Sequence, residues 1–309
     1  MSPRLVDDDS VRAPNSMRME AAGHPSDSDA PDGHVRQGKS GSPSVLDLIR
    51  LSPEPVFPPG GEALYRQIAL LTELQPGFEL LVAACGRGIS TSFLAETYEV
   101  EGTGLDFDPL LIHEAEVRAR EKGLEDRLGF QCAPLNDLPY HDDFFDVAIG
   151  EVALGAVFDP AAAVQELARV TKPYGSVVLV QLVWTGNVDA LRREQLVEHL
   201  GARPLLLVEW KQLLRDAGCV DLHVEDWSDY SGPFRPVAGP FHDFAKIFSL
   251  RQKAAIFRRA LRRWGWRGLR GAVVREQEIH TLLTRQRVLG LSMIKATKWP
   301  HNPQETIES

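Results

Sequence analysis

Leu80-Leu81-Val82-Ala83-Ala84-Cys85-Gly86-Arg87-Gly88-Ile89-Ser90 reads as a short apolar strand that turns through two glycines into a helix. An unbroken apolar run suits a parallel strand covered on both faces, and backbone without Cβ at Gly86 and Gly88 allows a tight turn and the close approach of a ligand. A helix beginning near Ser90 aims its unpaired N–H groups and the positive end of its dipole into the same crevice. A second apolar stretch, Val100 to Leu105, delivers Asp106 about 20 residues after the glycines, the spacing at which an acid receives ribose hydroxyls in nucleotide-binding folds. These residues predict a ribose-bearing ligand, either a dinucleotide or S-adenosylmethionine. The dinucleotide fingerprint wants a third glycine where Thr91 stands. An α/β corner that binds nothing is the third reading.

Four blocks in fixed order narrow the choice: Ala84-Cys85-Gly86-Arg87-Gly88, then Gly104-Leu105-Asp106, then Leu138-Pro139-Tyr140-His141-Asp142-Asp143-Phe144-Phe145-Asp146, then Glu166-Leu167-Ala168-Arg169-Val170-Thr171-Lys172-Pro173-Tyr174-Gly175. With these the chain resembles the class I S-adenosylmethionine-dependent methyltransferases, type 11-like and of the small-molecule group, over about residues 76 to 227. The resemblance implies an α/β fold, a Rossmann-like seven-stranded sheet with helices on both faces, here with a helical insertion before the last strand. It implies S-adenosylmethionine as cofactor, with Ala84, Gly86, Gly88, Asp106, Phe107, Pro134, Leu135 and Glu151 as its contacts. Three positions depart from the family. Val82 stands where an acid usually helps hold the methionine end, Ala84 where glycine is usual, and Pro134 where an aspartate commonly meets the adenine, with Asn136 and Asp137 close by. The departures keep a non-catalytic S-adenosylmethionine-binding protein open as an alternative.

The 309 residues carry a net charge of −9, and they divide by composition. Residues 1–43 mix Asp, Ser, Pro, Gly and His without aliphatic periodicity and are expected to be a disordered tail. Residues 44–75 form an N-terminal cap with a helix from about Gly61 to Leu74, whose Leu64, Ile68 and Leu71 share a face. In the resembling family such a helix lies over the crevice, so Tyr65 and Arg66 face substrate or the helix simply packs. The core, 76–227, is expected to hold a helix from Pro109 to Lys122 capped by Asp108, strands at Leu128–Cys132, Val147–Gly150 and Ser176–Leu182, and an excursion from Trp184 to Pro204. A helix from Val208 to Ala217 and a strand from Val220 to Trp227 follow. Residues 228–287 form a basic insertion, 288–299 the final strand and 300–309 a tail. No apolar run reaches the roughly 18 residues of a membrane span, and Asp7-Asp8-Asp9 argues against a secretory leader. Cys85, Cys132 and Cys219 are dispersed, which disfavours metal and disulfides and suits a cytoplasmic setting. Cys85 and Cys132 are expected to be buried.

Glu151 follows the fourth strand, where ligands of open α/β sheets bind. It is the first candidate for a catalytic base, with Tyr140 and His141 weaker ones, and turn capping is the alternative. From Phe244 to Arg275 there is no carboxylate, only Lys246, Arg251, Lys253, Arg258, Arg259, Arg262, Arg263, Arg267, Arg270 and Arg275. Leu250, Ala254, Phe257, Leu261 and Trp264 recur at helical spacing, which predicts one apolar face among arginines. That helix packs on the core, lies against an anionic membrane surface or binds nucleic acid. Glu151-Val152-Ala153-Leu154 is unlike the motif of enzymes that methylate base amino groups, which disfavours nucleic acid. The expected acceptor is a small or lipid-soluble molecule, methylated on O, N or C by in-line displacement, in a protein that is cytoplasmic and peripheral to the membrane if Leu250–Trp264 touches lipid.

Overall fold

A computed structural model describes residues 43–44, 47, 51–52, 57–156, 159–186, 188–228, 250–284 and 288–300. The two expected tails and residues 229–249 of the insertion lie almost wholly outside the described residues.

Chain order runs α1 (Gly61–Leu71), β1 (Glu79–Ala83), α2 (Ile89–Tyr98), β2 (Glu101–Asp106), α3 (Pro109–Glu121), β3 (Leu128–Cys132) and β4 (Phe145–Gly150). After a 3₁₀ turn at Val152–Ala156 come α4 (Pro160–Val170), β5 (Thr171–Trp184), α5 (Ala190–Leu200), β6 (Leu205–Leu206), α6 (Leu207–Asp216), β7 (Cys219–Asp226), α7 (Leu250–Thr284) and β8 (Leu289–Lys298). The sheet order is β3-β2-β1-β4-β5-β8-β7, with β6 on the far end of β5. Strands pair in parallel from β3 through β5, and β8 runs antiparallel to both of its neighbours. The expected seven strands are present, and β6 adds a two-residue eighth.

Both faces of the sheet are covered because its central strands carry apolar side chains on both sides. In β5, Val178, Val180, Leu182 and Trp184 join the layer formed with α1, α2, α3 and α5, while Val177, Leu179 and Val183 join the layer with α4 and α6. Leu80 and Leu81 are divided in the same way and both are fully buried, each worth roughly 2–3 kcal/mol in removed apolar surface. The period of two in side-chain direction thus feeds two cores from one strand.

The caps lie where short polar side chains precede the helices. Asp108 Oδ1 accepts from Leu110 N at 3.0 Å and Pro109 opens α3, while Asp159 Oδ1 accepts from Ala161 N at 3.0 Å ahead of α4. The Trp184–Pro204 excursion contains a helix that the sequence reading left out, α5, announced by Asp189 accepting from Arg192 N at 3.0 Å. Near the N-terminus Ser44 and Asp47 cap each other, Ser44 N donating to Asp47 Oδ2 at 2.9 Å and Asp47 N to Ser44 Oγ at 3.2 Å.

Helix α7 packs through a stripe that shares Trp264 with the expected apolar face but leaves Phe257 and Leu261 outside. It breaks at Gly265, where φ is 67° and ψ −177°, and its buried residues are Ile256, Ala260, Leu269 and Ala272, packed with Leu51. Of the stripe expected to be the helix's apolar face, Phe257 and Leu261 are 41% and 43% exposed, Ala254 is exposed too, and Trp264 is half-buried against this cluster. The small Ala260 lets the segment at Leu51 approach closely, and Arg259 Nη1 ties it down by donating to the carbonyls of Leu51 and Ser52 at 3.2 and 3.3 Å. Arg275 donates to Pro43 O at 3.0 Å and pairs with Glu198 of α5 at 3.6 Å. These two arginines are fasteners rather than a solvated face.

Candidate functional site

The carboxyl end of β1 is the floor of the crevice, and its turn is built by backbone conformation. Gly86 and Gly88 have φ of 54° and 66°, the left-handed region that glycine occupies without cost. A Cβ on Gly88 would lie 2.5 Å from the Phe130 ring, so this glycine serves close helix-to-sheet packing; one on Gly86 would meet nothing within 4 Å, so this glycine leaves a face open. Ala84 shares the left-handed conformation at φ 61° and carries a side chain where that costs on the order of 1 kcal/mol.

Asp106 ends β2 beside that open face and is 1% exposed. Its Oδ2 accepts from Gly86 N at 2.9 Å and its Oδ1 from Asp108 N at 3.0 Å. Phe107 is half-buried beside it. Beyond β3, Pro134 is exposed and Leu135 is buried at 2% in the core, which leaves only the backbone of Leu135 for a ligand. Asn136 and Asp137 are exposed. Cys132 corrects an expectation: it is exposed, because β3 is the sheet's edge strand and ends there, while Cys85 is buried. Burial, reinforced by Asp106 and Glu151, pushes the Cys85 thiol well above its ordinary range, so it stays protonated and inert.

Glu151 follows β4 directly and is 4% exposed. Its backbone N–H donates to Ala83 O at 3.0 Å, which locks it to the end of β1. Its Oε1 accepts from Tyr65 Oη at 2.7 Å and also from Ser90 Oγ. Burial pushes the carboxyl up to about 7, against the two hydroxyls that favour its charge and with a smaller push from Asp106. Tyr65 is fully buried on α1, and burial together with Glu151 holds its phenol well above the ordinary range. Beneath them Gln181 Nε2 donates to the carbonyls of Gly150 and Glu151 at 2.9 and 2.8 Å. Sequence reasoning found Glu151 and kept Tyr65 in view but missed Ser90 and Gln181. The hydroxyl at the start of α2 was the available signal for Ser90; a lone Gln in an apolar strand was the signal for Gln181.

Helix α1 closes this end. Phe57 packs tilted against Tyr65 and edge-on to Phe93 at centroid distances of 6.0 and 5.5 Å, and Gln67 donates to Glu225 of β7 at 2.7 Å. Arg66 points outward, paired with Glu62 and lying over Phe93.

The remaining sequence blocks brace the crevice from behind. Arg169 pairs with Glu166 and Asp142 and donates to the carbonyls of Leu138 and Tyr140, while Glu166 accepts from Leu138 N at 2.7 Å. Lys172 pairs with Asp146 at 2.8 Å, and Asp146 also accepts from Glu79 N. Tyr140 is half-buried, donates to Gln131 at 3.0 Å and is pushed up to about 12, chiefly by burial; His141 is exposed. Among the described residues neither is hydrogen-bonded to Glu151. Among the described residues no group of three or more His, Cys, Asp or Glu could hold a metal ion, and no helix is long and apolar enough to cross a membrane.

The family model "Methyltransferase domain" matches residues 81–179, which run from β1 into β5. The 27-O-demethylrifamycin SV methyltransferase of Amycolatopsis mediterranei is 27% identical over 171 residues, 54% of this chain and 63% of that one. The chain thus represents under two thirds of that relative's length. The crystal structure of the [4+2]-cyclase SpnF matches with a TM-score of 0.61 at 23% identity, covering 77% of this chain and 81% of that one. The Haemonchus contortus phosphoethanolamine N-methyltransferase 2 in complex with S-adenosyl-L-methionine matches with a TM-score of 0.61 at 15% identity, covering 83% and 58%.

Proposed function

We propose that this chain, a class I S-adenosylmethionine-dependent methyltransferase, moves the methyl group of its cofactor to an oxygen, nitrogen or carbon of a small-molecule or lipid-soluble acceptor. The observation that carries the reading is the buried Asp106, fixed by the N–H of Gly86 beside that residue's open face and opposite the start of α2. Such a carboxylate suits the ribose hydroxyls. Gly86, Gly88, Ala84 and Phe107 would line the same ligand, with the backbone at Pro134 and Leu135 beneath the adenine end. The rifamycin relative, by its name, acts on a small molecule, which supports that acceptor class here.

When bound, the cofactor supplies a methyl group already activated by a sulfonium. Asp106 and the turn of Gly86 and Gly88 would hold the cofactor, S-adenosylhomocysteine would be the product, and a proton carried by an oxygen or nitrogen acceptor would pass to solvent. The residues of the chain therefore have to hold donor and acceptor in line and keep water out. Tyr140, with its proton committed to Gln131, is a poor base. The direct test is calorimetric titration with S-adenosylmethionine, S-adenosylhomocysteine and NAD, followed by transfer of labelled methyl into solvent-extractable cell metabolites. Binding of the first two and not NAD, with label recovered, is expected; NAD binding alone sinks the reading. Binding without any transfer would favour the non-catalytic alternative, which the buried apolar Val82 and the left-handed Ala84 motivate.

We further propose that the protein works in the cytoplasm and touches anionic membrane surface through Leu250–Trp264. Phe257 and Leu261, with Trp266 70% exposed just beyond the kink, stand among the exposed Arg258, Arg262 and Arg263, the mixture that suits a lipid interface. Co-sedimentation with phosphatidylserine vesicles, absent with neutral vesicles and lost in the R258Q/R262Q/R263Q variant, is the expected result.

A further inference from the structure

The crevice has a carboxylate on each side of β1. The strand order sets β2 and β4 on either flank of that strand; Asp106 ends β2 and Glu151 follows β4. The end of β1 between them offers no charge, since Val82, Ala83, Ala84 and Cys85 are all buried and apolar, and Arg87 in the turn is engaged elsewhere, paired with Glu114 and donating to Ser52 O. Asp106 already receives two backbone N–H groups. Glu151 receives both of its hydroxyls on Oε1, and no hydrogen bond from the described residues reaches Oε2. The backbone acceptors of this rim, the carbonyls of Gly150 and Glu151, are engaged by Gln181. A buried carboxylate with a free oxygen and no cation among its described neighbours is costly unless something positive meets it.

We propose that Glu151 is the seat of the α-ammonium group of the cofactor's methionine portion, the counterpart across β1 of Asp106 at the ribose. The assignment rests on the reading of the crevice as an S-adenosylmethionine site. That ligand has a nucleoside at one end and an amino acid at the other, so laid across the end of β1 with its ribose at Asp106 it brings its ammonium to the β4 rim. The ammonium donates to Oε2, while Tyr65 and Ser90 fix the carboxylate through Oε1. Glu151 is then a binding residue and not the proton acceptor for the substrate, because a carboxylate that holds an ammonium is stabilised in its charged form. The titratable groups that face it are Tyr65 from α1, Cys85 from the turn and Asp106 from β2. The first two stay neutral at neutral pH, so the ligand is the cation that ionises it.

The test compares two ligands in calorimetric titration: S-adenosylhomocysteine, and 5′-methylthioadenosine, which keeps the nucleoside and thioether but lacks the amino acid. Glu151→Gln is expected to weaken S-adenosylhomocysteine ~30-fold, the loss of one charged hydrogen bond, and to leave 5′-methylthioadenosine within about threefold. In the unsubstituted protein, affinity for S-adenosylhomocysteine rises from pH 6 to 8 and binding releases protons; both effects vanish in the variant. Equal losses for both ligands would make Glu151 a prop of the crevice, and no loss for either would remove it from the site; each result overturns the proposal. If the unsubstituted protein binds neither ligand, the reading of the crevice itself fails, a separate outcome. Should the Gln variant lose its cooperative melt, Glu151→Asp keeps the charge one methylene back and is expected to weaken S-adenosylhomocysteine alone.

Discussion

Asp106 and Glu151 are both buried carboxylates at strand ends, yet one is held by backbone and the other by side chains. Asp106 takes its hydrogen bonds from Gly86 N and Asp108 N, groups that no side-chain substitution removes. Glu151 takes its own from Tyr65, 86 residues earlier, and from Ser90. A backbone-held acid is robust and fixed in place. A side-chain-held acid is tunable, because the helix that supplies its phenol can be moved or altered without touching the strand that bears it.

The sharpest way to break this contrast is Asp106→Ala. It is expected to weaken the cofactor ~100-fold or more, the loss of charged hydrogen bonds to a ribose, with little change in 5′-methylthioadenosine discrimination by Glu151. Titration with S-adenosylhomocysteine checks it, and a loss below threefold would leave the β2 rim without a role in binding.

Next in size is the stability cost of Glu151. Its folded-state pKa of about 7 lies above the ordinary glutamate value of 4.5, so the cofactor-free native state binds a proton that the unfolded chain has released between those values. Stability contributed by this group is therefore present at low pH and falls as pH rises from about 4.5 to 7. Glu151→Gln should melt higher than the unsubstituted protein at pH 8, by a free energy on the order of 3 kcal/mol, and alike at pH 4.5. A difference of the same size at both pH values would mean that packing, not ionisation, is at work.

Smallest is Tyr65→Phe, which removes one hydrogen bond to the carboxylate at a cost of about 1–2 kcal/mol in melting. It should also move the pH profile of S-adenosylhomocysteine binding to higher pH, since the charged form loses a donor. An unmoved profile would assign the anchoring of Glu151 to Ser90 alone.

How far the sequence reached follows the same division. The backbone-built parts were legible: the glycine turn, the acid at its distance, the cap at Asp108, and the succession of strands along the chain. These depend on local conformation, which composition and spacing report. The four blocks of resemblance were legible too, but Arg169 and Lys172 turn out to brace loops instead of touching the crevice. The meeting of Tyr65 with Glu151 and Ser90 was not legible, because three elements far apart in the chain converge on one oxygen. Which stripe of α7 packs inward was not legible either, for a related reason. Helical spacing gave equal support to the stripe of Phe257 and Leu261 and to that of Ile256 and Ala260, and the choice was made by Leu51 and Arg259.

The position of β8 has a consequence for synthesis. Among the described residues it is the last strand in sequence, yet it lies between β5 and β7, and β7 pairs with no other strand. On the ribosome the long apolar β5 therefore waits with one side of its ladder open until residues near the carboxyl end emerge, an exposed edge of the kind that invites pairing with another chain. A nascent protein of this topology depends on fast completion or on a chaperone that shields that edge, and a stop codon just before Leu289 would convert a folded protein into an aggregate.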